Sequence, residues 1–139
     1  MKKLIFSTLF LFLASVALQA QSFQVIVNEA NATTSLSKKD VSDIFLKTKS
    51  KWDDGSNIVP VDQSARSATR AAFSEEIHGR NVGAIRSHWQ QAAFSGAGTA
   101  PAERPSDAEV IAFVKNNPGA VGYISADADV SGVKVVTVN

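Results

Sequence analysis

The sequence contains no cysteine among its 139 residues. This absence excludes disulfide bonds, thiolate metal ligands and a catalytic thiol, and it excludes a lipid anchor on an N-terminal cysteine. If the domain works outside the cytoplasm, its hydrophobic core alone must stabilise it.

The sequence also lacks a marked excess of either charge, with 14 Lys and Arg against 13 Asp and Glu. Two of the basic residues are Lys2 and Lys3, and without them 12 basic residues remain against 13 acidic ones. A near-neutral surface predicts no broad basic field for nucleic acid or anionic lipid. An anion would have to be bound by a local site.

No apolar run is long enough to favour a membrane-spanning helix, which needs about 20 apolar residues. An apolar run from Leu4 to Leu13, interrupted by Ser7 and Thr8, follows two lysines and is followed by small and polar residues. This pattern is typical of a secretory signal peptide, predicted at residues 1–20, with cleavage after Ala20 or after Ala17. An uncleaved membrane anchor is the alternative. The prediction is an exported, periplasmic protein with one mature domain at residues 21–139.

Strands and helices alternate along the mature domain. Strands are predicted at 23–28, 58–61, 120–124 and 133–138. Helices are predicted from Ser37, from Ser67 to a stop at Gly79, from Asn81, and from Ser106, where Ser106 and Glu109 form a capping box. Residues 95–105 are predicted to be a loop of small residues. The alternation favours a single α/β domain with about four helices around a mostly parallel sheet.

The residues that enzymes use are scarce. The two histidines, His78 and His88, have no cysteine beside them, so surface or capping roles are favoured over a metal site. No serine stands in a glycine-flanked strand–turn–helix context, which argues against a catalytic triad. The loop at 96–98 lacks the third glycine and the preceding strand of a dinucleotide site. We therefore predict neither an enzyme nor a cofactor.

The segment from Val61 to Arg70 is the candidate site, because a strand ends there and a helix begins at small hydroxyl residues. Free N–H groups and the positive end of the helix dipole favour an oxyanion at such a point. Hydroxyls of Ser67 and Thr69 could donate to it, and Arg66 or Arg70 could supply charge. The alternative is ordinary helix capping by Ser64 or Ser67, with both arginines in solvent.

Six segments of the chain, taken together and in order, form a recognisable set: Val41–Leu46, Trp52–Gly55 with Ile58 and Pro60, Ser67–Arg70 with Phe73, Trp89, Phe94–Gly98 with Pro101, and Asn117–Tyr123. This ordered set resembles the phosphate-binding protein family of ABC transporters, which has the type II periplasmic-binding-protein fold.

The resemblance implies a phosphate contact by Ser67, Ala68 and Thr69, where the family has Ser-Gly-Thr. The family's arginine four residues before the serine falls on Gln63, which is uncharged, and Arg66 or Arg70 could compensate. Family members fold as two lobes, and this chain is long enough for one.

The sequence thus predicts an exported single-lobe module for inorganic phosphate or a similar oxyanion, which acts with an ABC transporter membrane component or with a second copy. The alternative is a ligand-free interaction or regulatory protein of the cell envelope.

Overall fold

A computed structural model describes residues 22–139. The predicted signal peptide lies outside the described residues, as does Gln21. No helix among residues 22–139 is long and apolar enough to span a membrane.

Six strands form one mixed sheet in the order β2-β6-β1-β5-β3-β4. The strands are β1 (Phe23–Val27), β2 (Ser35–Leu36), β3 (Val59–Gln63), β4 (Ala102–Arg104), β5 (Ala120–Ser125) and β6 (Lys134–Val138). Only β1 runs antiparallel to its neighbours, with Val25 opposite Tyr123 of β5 and Val136 of β6. The pairs β2–β6, β3–β4 and β3–β5 are parallel, which confirms the predicted α/β class and mostly parallel sheet.

Four helices pack around this sheet: α1 (Lys38–Phe45), α2 (Ala68–Phe73), α3 (Val82–Ser95) and α4 (Asp107–Asn116). One π-helical turn, Ser74–His78, continues α2 and ends at Gly79, whose φ of 63° is left-handed. The predicted caps are confirmed, since Ser37 and Ser106 each accept from the backbone N–H three residues on. Asn81 caps α3 in the same way.

Side chains alternate across β1 and β5, so the sheet has a core on each face. Helices α1 and α2 cover one face, where Phe45, Phe73 and Tyr123 lie among buried apolar residues. Helix α4 covers the other face with Val110 and Val114. Gly122 allows α4 to approach closely, because a Cβ there would lie 2.7 Å from a methyl of Val110.

Two strands were not predicted. The predicted loop at 95–105 is wrong at its end, since Ala102–Arg104 form the edge strand β4. The two-residue β2 was also missed. Both are short strands without an alternating apolar pattern, and each exists because it pairs with a strand far away in the sequence.

Candidate functional site

The candidate site lies at one edge of the sheet, where the carboxyl ends of three parallel strands meet. β3 ends at Gln63, β4 at Arg104 and β5 at Ser125. Helices α2 and α4 begin just after β3 and β4, at the caps Ser67 and Ser106. In open α/β sheets this is the edge where ligands bind. Two helix N-termini therefore face the same edge.

Ser67 is the cap of α2. Its Oγ accepts from the backbone N–H of Arg70 at 3.2 Å and donates to Oε1 of Gln63 at 2.6 Å. The capping role that the sequence left open is therefore present. Its hydroxyl is already used twice within the protein.

The first two N–H groups of α2 belong to Ala68 and Thr69. Among residues 22–139, neither group donates a hydrogen bond. Ala68 is exposed and Thr69 is half-buried. These two N–H groups therefore have no partner within the described part of the chain, and unpaired N–H groups at a helix start are what an oxyanion needs.

Gln63 connects the two helix starts and is 3% exposed. Its Nε2 donates to Oδ1 of Asp107, the first residue of α4, at 2.7 Å and to the carbonyl of Tyr123 at 3.0 Å. Its Oε1 accepts from Ser67. The position that the resemblance assigns to a charged arginine thus holds a neutral amide whose hydrogen bonds are internal.

Asp107 is the first residue of α4 and places a carboxylate at the N-terminus of that helix. Its carboxylate accepts from the backbone N–H of Ser125 at 3.2 Å and from the Ser125 hydroxyl at 2.6 Å, besides the bond from Gln63. A negative side chain at this position is favoured by the helix dipole. The start of α4 therefore carries its own anion, whereas the start of α2 does not.

Arg70 turns inward and is 4% exposed. Its Nη1 donates to the carbonyl of Gln63 at 3.0 Å and to Glu103 at 2.6 Å, and its Nη2 lies 3.9 Å from Asp62. Burial by itself would lower the pKa of Arg70, but attraction to Asp62 and the bond to Glu103 raise it. Two carboxylates already balance its charge.

Arg66 differs from Arg70 in being exposed. Within the described part of the chain, no carboxylate lies within 4.0 Å of its guanidinium. Of the two arginines that the sequence offered, Arg66 is the one whose charge is not balanced by a neighbour.

A buried polar network lies behind the site. Asp62 accepts from the hydroxyl of Tyr123 at 2.7 Å, and this hydroxyl accepts from the backbone N–H of Gln63 at 3.2 Å. Burial raises the pKa of Asp62, and the attraction of Arg70 and the Tyr123 bond offset this only in part. Burial and Asp62 together raise the pKa of Tyr123, so its phenol stays protonated and donates. This network holds β3 against β5.

Sequence reasoning assigned no role to four of these residues: Asp62, which lies within the candidate segment, and Glu103, Asp107 and Tyr123. Asp107 could have been recognised as an acidic residue in the first turn of a capped helix. The others gave no signal, because each matters through a contact with a remote segment.

The two histidines are not brought together into a metal site. Nδ1 of His78 lies 2.7 Å from the Ser42 hydroxyl, while His88 packs against Trp89. Burial, with positive neighbours led by Arg80, lowers the pKa of His78 to about 4. The described residues contain no group of three His, Cys, Asp or Glu that could hold a metal ion.

The model of the PBP superfamily domain matches residues 15–138. No curated protein matches the sequence.

Solved structures share the fold. A Vibrio cholerae ABC-type phosphate transport receptor has a TM-score of 0.67 at 23% identity, over 84% of this chain and 46% of the receptor. A putative phosphate ABC transporter substrate-binding protein from Clostridium perfringens, solved with bound phosphate, has a TM-score of 0.65 at 23% identity. The match covers 84% of this chain and 44% of that protein. PstS from Borrelia burgdorferi has a TM-score of 0.65 at 14% identity, over 85% of this chain and 47% of PstS. The chain spans less than half the length of these three proteins.

Proposed function

This chain belongs to the PBP superfamily domain family, and we propose that it is an exported binding module that holds an oxyanion such as phosphate at the start of α2. The observation that carries the proposal is the pair of N–H groups of Ala68 and Thr69, which have no acceptor among the described residues. The likeness to phosphate-binding proteins of ABC transporters supports phosphate as the first anion to test.

Three kinds of donor are close together in the sequence here. The two N–H groups carry the positive end of the dipole of a helical segment that continues from Ala68 to His78. The Thr69 hydroxyl follows on the same turn. Arg66 supplies a positive charge without a neighbouring carboxylate, and guanidinium groups form strong charge-assisted bonds to oxyanions. Nothing in this donor set calls for catalysis, so we propose binding alone.

The site is open, so the proposed binding is weak. A helix N-terminus stabilises an exposed anion by about 0.3–1 kcal/mol. Small-ligand sites that bind well enclose roughly 70–90% of the ligand. We expect a dissociation constant on the order of 0.1–1 mM for a single copy, since 1 mM corresponds to about −4 kcal/mol. A membrane component of a transporter, or a second lobe, would tighten it by covering the open side.

Calorimetric titration of the purified mature protein with phosphate, sulfate and arsenate tests the proposal. We expect saturable heat with at least one of these anions in the millimolar range. If none binds at ~10 mM, well above the expected constant, the oxyanion proposal fails.

A specific observation favours a second candidate. The side chains of Gln63 and Arg70, two of the six candidate residues, form hydrogen bonds to other parts of the same chain. A lobe whose charged and amide groups are satisfied internally fits an interaction or regulatory protein of the cell envelope. Absence of anion binding would favour this candidate.

Export is a separate part of the proposal, and it rests on residues 1–20. Mass spectrometry of the protein from the producing cell should find a chain that begins at or near Gln21. A chain that retains Met1 in the membrane fraction would contradict it.

A further inference from the structure

Phe94, in the last turn of α3, is 97% exposed. Trp89, five positions earlier on the same helix, is 8% exposed. Five residues correspond to about 140° around a helix axis, so Phe94 projects away from the face that Trp89 packs against the domain. Packing within the chain does not explain a phenylalanine in this position.

The sequence around Phe94 carries little charge. Residues 77–102 contain no aspartate or glutamate, and residues 89–102 contain no ionisable side chain. The centres of protein–protein interfaces are depleted in charged residues and enriched in aromatic ones. Burying residues 89–102 against another protein would desolvate no charged side chain of that segment.

A groove of about 260 Å³ lies between α3 and the segment 99–103, and Ala93, the residue before Phe94, lines it. Its wall also includes Arg86, Trp89 and Gln90, together with the ion pair of Arg70 and Glu103. In the part of the chain that the structure describes, Arg86 has no carboxylate within 4.0 Å and Nε1 of Trp89 has no hydrogen-bond acceptor. The same helix thus carries a projecting aromatic ring and a groove with an unpaired cation.

We propose that this face of α3 docks a second copy of this chain, with the two α3 helices antiparallel and Phe94 of each copy in the groove of the other. Two-fold interfaces must be self-complementary. Phe94 and Arg86 are each four positions from Gln90, so helices that cross near Gln90 place each Phe94 opposite the other copy's Arg86. A guanidinium group that lies over an aromatic ring is attracted to the ring by a cation–π interaction.

The same helix face carries Ala93, whose small side chain allows two helices to approach to about 8–10 Å. The contact is short, because 14 residues span about 21 Å. Stable interfaces bury about 1,600 Å² in total, which one helix from each copy does not reach. We therefore expect a weak dimer, with a dissociation constant on the order of 100 µM.

A second copy fits better than a lipid surface. A helix that lies in a membrane interface has a broad apolar face and many basic residues on the other. Here one large apolar side chain projects, beside a groove that a lipid headgroup would leave unfilled. The proposal does not rest on oxyanion binding, which concerns the start of α2, although Arg70 of α2 also lines the groove.

Analytical ultracentrifugation of the purified mature protein from about 10 µM to 1 mM tests the proposal. We expect the weight-average mass to rise towards twice the monomer mass. Phe94→Asp should stay monomeric throughout, and Arg86→Ala should raise the dissociation constant at least threefold. Val135→Asp is the matched control, because Val135 is a 43% exposed apolar residue on β6, and it should associate like the parent. A parent that is monomeric at 1 mM, or a Phe94→Asp variant that dimerises like the parent, would overturn the proposal.

A second measurement uses the absence of cysteine. Gln90→Cys places one thiol near the two-fold axis, and mild oxidation should cross-link it much faster than Val135→Cys. Equal rates would contradict the proposed crossing point. Flotation with vesicles of phosphatidylcholine and phosphatidylglycerol tests the lipid alternative. Binding of a monomeric parent, lost in Phe94→Asp, would assign this face to a membrane and overturn the dimer.

Discussion

The hydroxyl of Tyr123 in β5 donates to Oδ1 of Asp62 in β3 at 2.7 Å, while the ring of Tyr123 stacks on Phe73 with centroids 3.8 Å apart. One side chain therefore joins the polar network behind the candidate site to the apolar core under α2. Asp62 would otherwise be a buried carboxylate held only by Arg70, at 3.9 Å.

Tyr123→Phe separates these two roles, because it keeps the stacked ring and removes the hydroxyl. We expect a loss of about 1–3 kcal/mol in the free energy of unfolding, since Asp62 and the N–H of Gln63 both lose a buried partner. Denaturant titration of the two proteins measures it. An unchanged midpoint would show that water replaces the hydroxyl.

Ser67→Asp puts a carboxylate at the start of α2, where the anion is proposed to bind. Anion binding should become undetectable at ~10 mM. The fold should survive, because aspartate is also a good N-cap, although the bond to Gln63 is lost. Ser37→Asp is the matched control: it adds the same charge at the cap of α1 and should bind phosphate like the parent. If Ser67→Asp binds like the parent, the anion site is elsewhere.

Arg66→Ala and Arg70→Ala should affect different properties, the first anion binding and the second the stability of the fold. Arg66→Ala should weaken phosphate binding and change the free energy of unfolding by less than about 0.5 kcal/mol, because the side chain is exposed. Arg70→Ala should reduce stability by about 3–5 kcal/mol, since it leaves Asp62 buried without its cation. Calorimetric titration and denaturant titration of both variants separate the two effects. Equal loss of stability in the two variants would contradict the placement of Arg70.

The two large aromatic residues of α3 provide a matched pair. Trp89→Ala should reduce stability by about 3–5 kcal/mol, because the indole is buried. Phe94→Ala should change it by less than about 0.5 kcal/mol, because the ring lies in solvent. Denaturant unfolding of both variants and the parent, at low protein concentration, measures the two effects. Similar effects of both substitutions would mean that α3 is rotated from the orientation described.

His78 predicts a pH dependence. Its folded pKa is about 4, below the ordinary value of 6.5, because burial disfavours the charged imidazolium. Between these values the unfolded chain binds a proton that the folded chain does not, so the contribution of His78 is fully present above about pH 6.5 and is lost as the pH falls towards 4. Unfolding midpoints at several pH values should decline less steeply for His78→Gln than for the parent. His88→Gln is the control, and the same flattening there would argue against this cause.

The helix boundaries could be predicted from the sequence because they depend on neighbours. Ser37, Asn81 and Ser106 cap helices through N–H groups three residues away, and Gly79 ends a helix through its own φ. The edge strand β4 could not be predicted, because its three residues are a strand only by pairing with β3, some 40 positions earlier.

The candidate site shows the same limit. The sequence located the start of α2 and the cap Ser67, which are local features. It could not decide between Arg66 and Arg70, because the difference depends on Asp62 and Glu103, and Glu103 lies 33 positions from Arg70. The continuation of α2 as a π-helical turn was also not predicted, since Ser74–His78 has no distinct pattern.

The position of β1 in the sheet has a consequence for how the protein matures. The first described strand lies between β5 and β6, the last two strands described, with Val25 paired to Tyr123 and Val136. These two pairings therefore cannot form until the residues up to Val138 have been synthesised. Native contacts between residues so far apart in sequence form slowly. During synthesis β1 therefore lacks its sheet partners until residues 120–138 have been added.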